Sequence, residues 1–216
     1  MNDLTSLGLH RCWKDIFVVN IISPESFLRI KRDKDEDFSN VTILDVTGRT
    51  GDVSFRIIDK FKKDNIEVLP NIIVVDSNSE MIEQGQLKSI EKGDCSIIWI
   101  KDDGEKLSQI PSNSVDVVAI SFGIRNFTNI EKEFSKANNP LISSIYQLYS
   151  SIAIPSLGEF IAGDRESYNY LESIRKFPDA EKFAQLLINA SFTDVKSSTM
   201  TFGVIAIHSG FKPANA

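Results

Sequence analysis

The chain has few of the residues that build metal or disulfide sites. It contains two cysteines, Cys12 and Cys95, and two histidines in 216 residues. The cysteines lie far apart and have no metal-ligand spacing, so we expect them to be reduced and structural and expect no metal site. Long hydrophobic runs are also lacking, and none approaches the roughly 20 apolar residues that a membrane-spanning helix needs.

An excess of positive charge is also lacking, since 30 acidic residues outnumber 24 lysines and arginines. The formal net charge is −6, which argues against nucleic acid as the main partner because phosphate binding requires a basic face. The first residues, 1–4, lack the pattern of a signal or transit peptide, so no targeting segment is visible. Hydrophobic residues make up 42% of the chain and charged residues 25%, which is ordinary for a globular protein. The length predicts one domain over residues 1–216.

The stretch from Val41 to Asp52 carries the strongest functional signal. It begins as a β-branched run typical of a buried strand, breaks at Gly48 and Gly51, and then takes a helical pattern. A strand, a glycine turn and a helix open a nucleotide-binding βαβ unit. Asp45 and Asp52 would repel a pyrophosphate at this turn but suit a cationic cofactor such as S-adenosylmethionine. The turn alone leaves other α/β nucleotide sites equally open.

Polar residues also follow the later strands of the predicted sheet. The apolar runs predict these strands at 71–76, 96–100 and 115–122. Asp76, Asp103 and Ser121 fall at or just beyond the strand ends, and open α/β sheets bind ligands beyond the carboxyl ends of their strands. Asp76 is placed to accept both hydroxyls of a ribose, and an acceptor near Asp103 could meet an adenine amino group.

Both flanks of this sheet have their own patterns. Residues 1–40 are predicted to form an N-terminal helical cap with an amphipathic helix within 1–22. Residues 140–177 exceed the apolar content of one helix face, which leaves two packed helices or a helical lid as alternatives. The stretch 192–211 predicts a hairpin. Three basic residues near the N-terminus could face a substrate or solvent: His10, Arg11 and Lys14.

Specific strings run over nearly the whole chain. They are SLGLHRCWKD at 6–15, LDVTGRTGD at 44–52, SFGIRN at 121–126, NPL at 139–141, the stretch 168–178, and AIHSGFK at 206–212. By these strings the chain resembles the ubiquinone/menaquinone biosynthesis C-methyltransferase family (UbiE type), and most closely its mitochondrial branch.

The resemblance implies a fold, a cofactor and a reaction. The fold would be α/β, a Rossmann-like class I S-adenosylmethionine-dependent methyltransferase with one antiparallel strand among seven. The reaction would methylate a ring carbon of a polyprenyl methoxy-benzoquinol in ubiquinone biosynthesis. By matched position, the cofactor contacts would be Thr50, Asp76, Asp103, Gly104 and Ser121, beside Asp45 and Gly48 of the glycine turn.

The same resemblance implies the substrate side and the surroundings. Arg125 would stabilise a phenolate or orient a water, since an arginine cannot serve as the base, and Asn126 would orient the substrate. Tyr168 and Arg175 would line the substrate side. The protein would be a peripheral membrane protein on the matrix side of the mitochondrial inner membrane, in a complex with other quinone-biosynthesis proteins. A homodimer is left open.

The chain departs from the family pattern at two internal places. Arg49 replaces the second of two adjacent glycines, and a positive φ there would cost on the order of 1 kcal/mol. A segment with the apolar fifth strand is missing between Lys132 and Glu133, so the sheet is expected to lack that strand. Met1 falls inside the family's usual N-terminal region, so part of the cofactor cover is expected to be absent. Two alternatives to an active methyltransferase are left open. The chain could be a catalytically impaired homologue that acts as a structural subunit of a quinone-biosynthesis complex, or the missing segment could reflect a skipped exon or a faulty gene model.

Overall fold

A seven-stranded β-sheet forms the centre of the molecule. The computed structural model describes residues 9–22, 40–66, 68–94, 96–124, 127, 178–201 and 205–213, and the backbone of 146–150. The strands are β1 (Thr42–Val46), β2 (Asn71–Asp76), β3 (Ile97–Lys101), β4 (Val117–Ser121), β5 (Tyr146–Ser150), β6 (Thr193–Met200) and β7 (Ile205–Phe211). The helices are α1 (Leu9–Ile21), α2 (Asp52–Lys63), α3 (Ser79–Glu91) and α4 (Ala180–Asn189).

The strands follow the order β3-β2-β1-β4-β5-β7-β6. Adjacent strands from β3 to β5 pair in parallel, and β7 runs antiparallel to both β5 and β6. This confirms the expected α/β sheet with one antiparallel strand. The order places the carboxyl ends of β3, β2, β1 and β4 side by side along one edge of the sheet, where the predicted site residues fall.

Apolar side chains cover both faces of the sheet, as the continuous β-branched runs of its central strands predict. On one face, Phe17 of α1 and Phe61 of α2 pack with Ile43 of β1, and all three are fully buried. On the other face, Phe183 and Leu187 of α4 pack in a second cluster with the remaining inward positions of β1 and β4. The glycine turn therefore connects a strand and a helix that are both fixed by the core.

The fifth position of the sheet is occupied, and the expectation of a missing strand is wrong. Tyr146–Ser150 pairs in parallel with β4, with Ser121 opposite Tyr149, and antiparallel with β7. An unpaired edge at β4 would leave a row of backbone donors and acceptors without partners, which explains why another segment takes this place. These five residues belong to the predicted lid at 140–177 and form a strand instead of a helix; the rest of that range lies outside the described residues.

A helix and a hairpin lie near the two ends of the chain where the sequence predicts them, and the rest of the predicted cap, 1–8 and 23–39, lies outside the described residues. The N-terminal helix α1 is amphipathic and buries Trp13, Phe17 and Ile21 against the sheet. The C-terminal hairpin is present as β6 and β7. Within the described residues, no helix is both long and apolar enough to traverse a bilayer.

Buried His208 on β7 has only part of its hydrogen-bonding capacity used. Its Nε2 lies 2.8 Å from the carbonyl oxygen of Ala180, so Nε2 carries the hydrogen and donates it. Its Nδ1 is buried and has no hydrogen-bond partner in the part of the chain that the structure describes. Burial lowers the pKa of His208 because the charged ring would be poorly solvated.

Candidate active site at the carboxyl edge of the sheet

The turn between β1 and α2 is tight and holds three residues at positive φ. These are Thr47 at 56°, Arg49 at 55° and Gly51 at 73°. A Cβ on Gly48 would stand 2.7 Å from Val74 and 2.9 Å from the Asp45 carboxylate, so only glycine fits there. The positive φ of Arg49 confirms that a non-glycine residue occupies a backbone conformation that favours glycine.

Asp76 connects the end of β2 to this turn. Its Oδ2 accepts a hydrogen bond from the backbone N–H of Arg49 at 3.0 Å, and its Oδ1 accepts one from Asn78 N–H at 2.9 Å. The side chain is nearly buried, with 8% of the residue exposed. A carboxylate offers about four acceptor positions, so two bonds leave capacity for ligand hydroxyls.

The loop after β3 lies against the end of β1. A Cβ on Gly104 would stand 3.0 Å from Val46 and 3.3 Å from Thr47, which shows how closely the backbone approaches the turn. The Asp103 carboxylate accepts the backbone N–H of Glu105 at 3.0 Å and pairs with Lys106 at 3.1 Å. The Glu105 hydrogen bond and then the Lys106 ammonium lower the pKa of Asp103, so this acid stays charged.

The end of β4 closes the other side of the turn. A Cβ on Gly123 would stand 1.7 Å from Thr47 Oγ1, so the loop after β4 touches the loop after β1. The Oγ of Ser121 is buried and has no hydrogen-bond partner among the described residues. Phe122 follows with a φ of 59° and lies 5.9 Å, measured to its ring centroid, from the Lys14 ammonium.

Asp45 lies beneath the turn and is fully buried. Its Oδ2 accepts a hydrogen bond from Ser54 Oγ at 2.8 Å, while its Oδ1 has no partner within the described part of the chain. Burial raises the pKa of Asp45 to about 7, because a carboxylate out of water loses its solvation. The Ser54 hydrogen bond and the charge of Lys14 act in the opposite direction.

Helix α1 reaches the site through an ion-pair network. Lys14 Nζ lies 2.7 Å from Asp52 Oδ2 at the first residue of α2, and Arg56 Nε lies 3.3 Å from the same oxygen. Arg56 also pairs with Asp15 of α1. Burial alone would raise the pKa of Asp52, but the Lys14 hydrogen bond and both cations bring it below its ordinary value. Asp52 therefore serves as an anchor for α1.

A tryptophan supports the turn from the side of α3. The Trp99 ring of β3 lies against both Gly51 and Gly85, where added Cβ atoms would stand 2.5 Å and 2.2 Å from it. Phe55 of α2 packs beside the ring, with the centroids 6.2 Å apart. The ring thereby fixes the distance between the start of α2 and the middle of α3.

The structure thus brings Asp45, Asp76, Gly104 and Ser121 to one edge, with Asp103 beside Gly104, as the sequence predicts. Thr50 is at the turn as well, and its hydroxyl accepts from Lys88 at 2.9 Å. The roles of these residues as ligands stay predictions. Four predicted substrate-side residues lie outside the described residues: Arg125, Asn126, Tyr168 and Arg175.

Sequence reasoning missed two features of this edge, the hydrogen bond of Ser54 to Asp45 and the ion pair of Lys14 with Asp52. Ser54 is a polar residue within the apolar stripe of α2, which is a weak signal. The Lys14–Asp52 pair joins residues that are distant in sequence, and no spacing rule relates them. Of the other two basic residues, His10 is buried and Arg11 is exposed.

The edge fits S-adenosylmethionine. Gly48 and Gly51 have no room for side chains, so a ligand can come close to the backbone of the turn. Buried Asp45 Oδ1 and Ser121 Oγ have no hydrogen-bond partner among the described residues. Asp45 beneath the turn and Asp76 at the end of β2 favour a positively charged ligand. The fold and the site define a class I S-adenosylmethionine-dependent methyltransferase. The chain belongs to the ubiE/COQ5 methyltransferase family, whose model matches residues 1–133 and 130–212.

Curated relatives agree with this family. A protein of Dictyostelium discoideum named 2-methoxy-6-polyprenyl-1,4-benzoquinol methylase, mitochondrial, is 37% identical over 256 aligned residues, covering 98% of this chain and 76% of the relative. The rice protein of that name is 39% identical, covering 98% and 78%. The Schizosaccharomyces pombe protein is 38% identical, covering 98% and 74%.

Solved structures share the fold at low identity. The DszA carbon methyltransferase has a TM-score of 0.70 at 11% identity, covering 96% of this chain and 55% of that one. A SAM-dependent methyltransferase from Aquifex aeolicus has a TM-score of 0.57 at 12% identity, covering 91% of this chain and 98% of that one. Haemonchus contortus phosphoethanolamine N-methyltransferase 2 in complex with S-adenosyl-L-methionine has a TM-score of 0.60 at 13% identity, covering 98% of this chain and 58% of that one.

The family match also bears on the missing segment. The family match is divided into two ranges, 1–133 and 130–212, which overlap at 130–133, where the sequence predicts a departure from the family pattern. The missing family segment stays a prediction, and in the described residues the sheet is continuous, with β5 in its fifth position.

Proposed function

We propose that the chain transfers a methyl group from S-adenosylmethionine to a ring carbon of a polyprenyl methoxy-benzoquinol in ubiquinone biosynthesis. The family and the names carried by the relatives support this substrate. The observation that carries the proposal is the acidic edge, where Asp45 and Asp76 flank a glycine turn. When bound, the cofactor supplies an electrophilic methyl group on a positively charged sulfur.

The residues of the edge have distinct binding roles in this proposal. Asp76 receives the ribose hydroxyls, because both its oxygens keep acceptor capacity beside the turn. Gly48 and Thr50 bring the backbone of the turn to the cofactor. Gly104 and Asp103 border the adenine, and the unpaired hydroxyl of Ser121 donates or accepts at the opposite end.

The substrate side must make a weak carbon nucleophile reactive. Removal of a phenolic proton moves electron density onto the ring carbon, so the site requires a proton acceptor or an oriented water, together with donors that stabilise the phenolate. Arg125 stabilises the phenolate or orients that water, and Asn126 orients the ring; Tyr168 and Arg175 line the same side. The apolar stretch outside β5 within 140–177 encloses the prenyl tail.

Binding and turnover measured together test the proposal. Calorimetry with S-adenosylmethionine and methyl transfer to a short-chain demethyl quinol should both give signals with the full chain. Asp76→Ala should weaken cofactor binding about 10- to 150-fold, the worth of one hydrogen bond to a charged group. Asp59→Ala is the matched control, since Asp59 is exposed on α2 and pairs only loosely with Lys92 at 3.6 Å. Absence of both signals in the unaltered chain would contradict the proposal.

A second candidate is an impaired homologue that acts as a structural subunit of a quinone-biosynthesis complex. The observation that favours it is Arg49, which brings strain and positive charge into the turn. Co-purification with other proteins of the pathway, without cofactor binding, would support it. Normal turnover by a monomer would exclude it. The expected loss of the fifth strand no longer favours this candidate, because β5 occupies that position of the sheet.

Location and partners extend the proposal. The relatives are named mitochondrial. We propose that this chain is a peripheral protein on the matrix side of the inner membrane, in contact with other quinone-biosynthesis proteins, and a homodimer is left open. Three exposed apolar residues on one side of α1 support membrane contact: Leu9, Ile16 and Val19. Co-sedimentation with phospholipid vesicles should fall in an Ile16→Ser/Val19→Ser variant, and undiminished co-sedimentation would contradict the contact.

A further inference from the structure

Ser54 is a polar residue at a position where α2 otherwise buries apolar side chains. It is fully buried, between Val53 and Phe55, which are buried as well. Its hydroxyl donates to Asp45 Oδ2 at 2.8 Å. A buried serine without a hydrogen-bond partner would destabilise the folded chain, and the bond to Asp45 removes that cost.

The Asp45 carboxylate lies directly beneath the backbone of the turn. The place where a Gly48 Cβ would stand is 2.9 Å from Asp45 Cγ and 2.9 Å from Oδ2, so no side chain separates the carboxylate from the turn. The strand positions opposite Asp45 are apolar Val74 and Ala119. In these surroundings a negative charge acts at short range with little screening by water.

We propose that Ser54 is a positioning residue, which fixes the Asp45 carboxylate and favours its charged form so that a negative charge underlies the cationic cofactor. This rests on the placement of S-adenosylmethionine at the glycine turn. Asp45 Oδ2 is occupied by Ser54, and the unpaired Oδ1 keeps the carboxylate dependent on this one neutral donor. Asp45 acts through the backbone of the turn, because its own atoms are buried.

The charges around Asp45 set the direction of the effect. The pKa of Asp45 is raised to about 7, because burial and the charge of Asp52 on α2 raise it by more than Ser54 and the Lys14 ammonium from α1 lower it. A bound cation favours the ionised carboxylate, so cofactor binding should release a proton near pH 7 and weaken as the pH falls below that value. Loss of the Ser54 donor should raise the pKa and move this weakening to higher pH.

The test measures the affinity of S-adenosylmethionine from pH 5.5 to 8.5 by calorimetry, with the full chain and in buffers of different ionisation enthalpy. For Ser54→Ala, the midpoint of the pH profile should rise by about one unit, the usual worth of such a hydrogen bond. The affinity at pH 7 should then fall about five-fold and converge with that of the unaltered chain near pH 8.5. Asp45→Asn should give a flat profile.

Ser89→Ala is the matched control. Ser89 is a buried helical serine on α3 whose Oγ has no hydrogen-bond partner among the described residues, so its loss should leave the profile in place. Ser54→Cys retains the volume with a weaker donor and should give an intermediate midpoint, which serves if the alanine variant does not fold.

Two results overturn the proposal in distinguishable ways. Cofactor binding with coincident pH profiles for the unaltered chain and the Ser54 variants, or without proton release near pH 7, overturns the role of Ser54 alone. Absence of binding at every pH overturns the placement of the cofactor and the role of Ser54 with it.

Discussion

Arg49 in the glycine turn allows backbone strain and side-chain charge to be separated by substitution. Its φ is 55°, its side chain is exposed, and its N–H donates to Asp76 at 3.0 Å. Arg49→Ala removes the charge but keeps a Cβ in the strained conformation, and Arg49→Gly removes both. Arg49→Lys keeps both features and is the control.

The strain should appear in stability. A side chain in the left-handed region costs about 1 kcal/mol relative to glycine, after the greater freedom of glycine in the unfolded chain is counted. We therefore expect Arg49→Gly to unfold about 2–4 °C above Arg49→Ala in a thermal melt without ligand. The lysine variant should melt close to the alanine variant, because both retain the Cβ.

The charge should appear in cofactor affinity. Repulsion between an exposed cation and a cationic ligand costs about 0.4–1 kcal/mol, so Arg49→Ala should bind S-adenosylmethionine roughly two- to five-fold more tightly than Arg49→Lys at low salt. Added salt should reduce the difference. Equal melting of the glycine and alanine variants would refute the strain argument. Equal affinity of the alanine and lysine variants at low salt would refute the charge argument.

Three further predictions concern the support of this edge. Lys14→Met should reduce the free energy of unfolding by about 1 kcal/mol and weaken cofactor binding, because it detaches α1 from the start of α2. The unfolded chain protonates a histidine before buried His208 does, so the contribution of His208 to the unfolding free energy should fall as the pH drops below about 6.5. Protonation of buried Asp45 acts in the opposite direction, so the measure is the difference between chains: in chemical denaturation, His208→Gln should gain stability relative to the unaltered chain as the pH is lowered. Gly85→Ala should destabilise the chain by about 1–3 kcal/mol, because its Cβ would stand 2.2 Å from the Trp99 ring.

The predictions for Lys14 and Gly85 each have a control in the same chain. Lys60→Met removes an exposed pair with Asp64 on α2 and should change stability by about 0.3–0.5 kcal/mol without affecting cofactor binding. Gly210→Ala meets its nearest neighbours at 3.3 Å and should cost less than Gly85→Ala. An unchanged pH slope in His208→Gln, or equal losses within either control pair, would contradict the corresponding prediction.

The part of the fold built from local patterns was predictable. The β-branched run of β1 and the glycines after it determine a buried strand and a tight turn, and the positive φ of Arg49 follows from its place in that turn. Asp76 could be placed because parallel strands present their carboxyl ends at one edge. These inferences need only neighbouring residues and the handedness of the βαβ unit.

The rest depends on contacts between distant segments. Tyr146–Ser150 alternates polar and apolar residues only briefly within a long apolar stretch, and its role as β5 is decided by the open edge of β4. The pair of Lys14 with Asp52 arises only when α1 packs across α2. Ser54 acquires its meaning from the buried acid opposite it, which no helical periodicity reveals.

The Trp99 ring, which lies against Gly51 and Gly85, can report on this edge of the protein through its fluorescence. The chain has two tryptophans, and the other, Trp13, lies on α1. A Trp13→Phe variant would leave Trp99 as the single fluorescent indole, packed against Gly51, the residue before α2. Movement of the turn when a ligand arrives would then change the emission spectrum directly, without an attached dye.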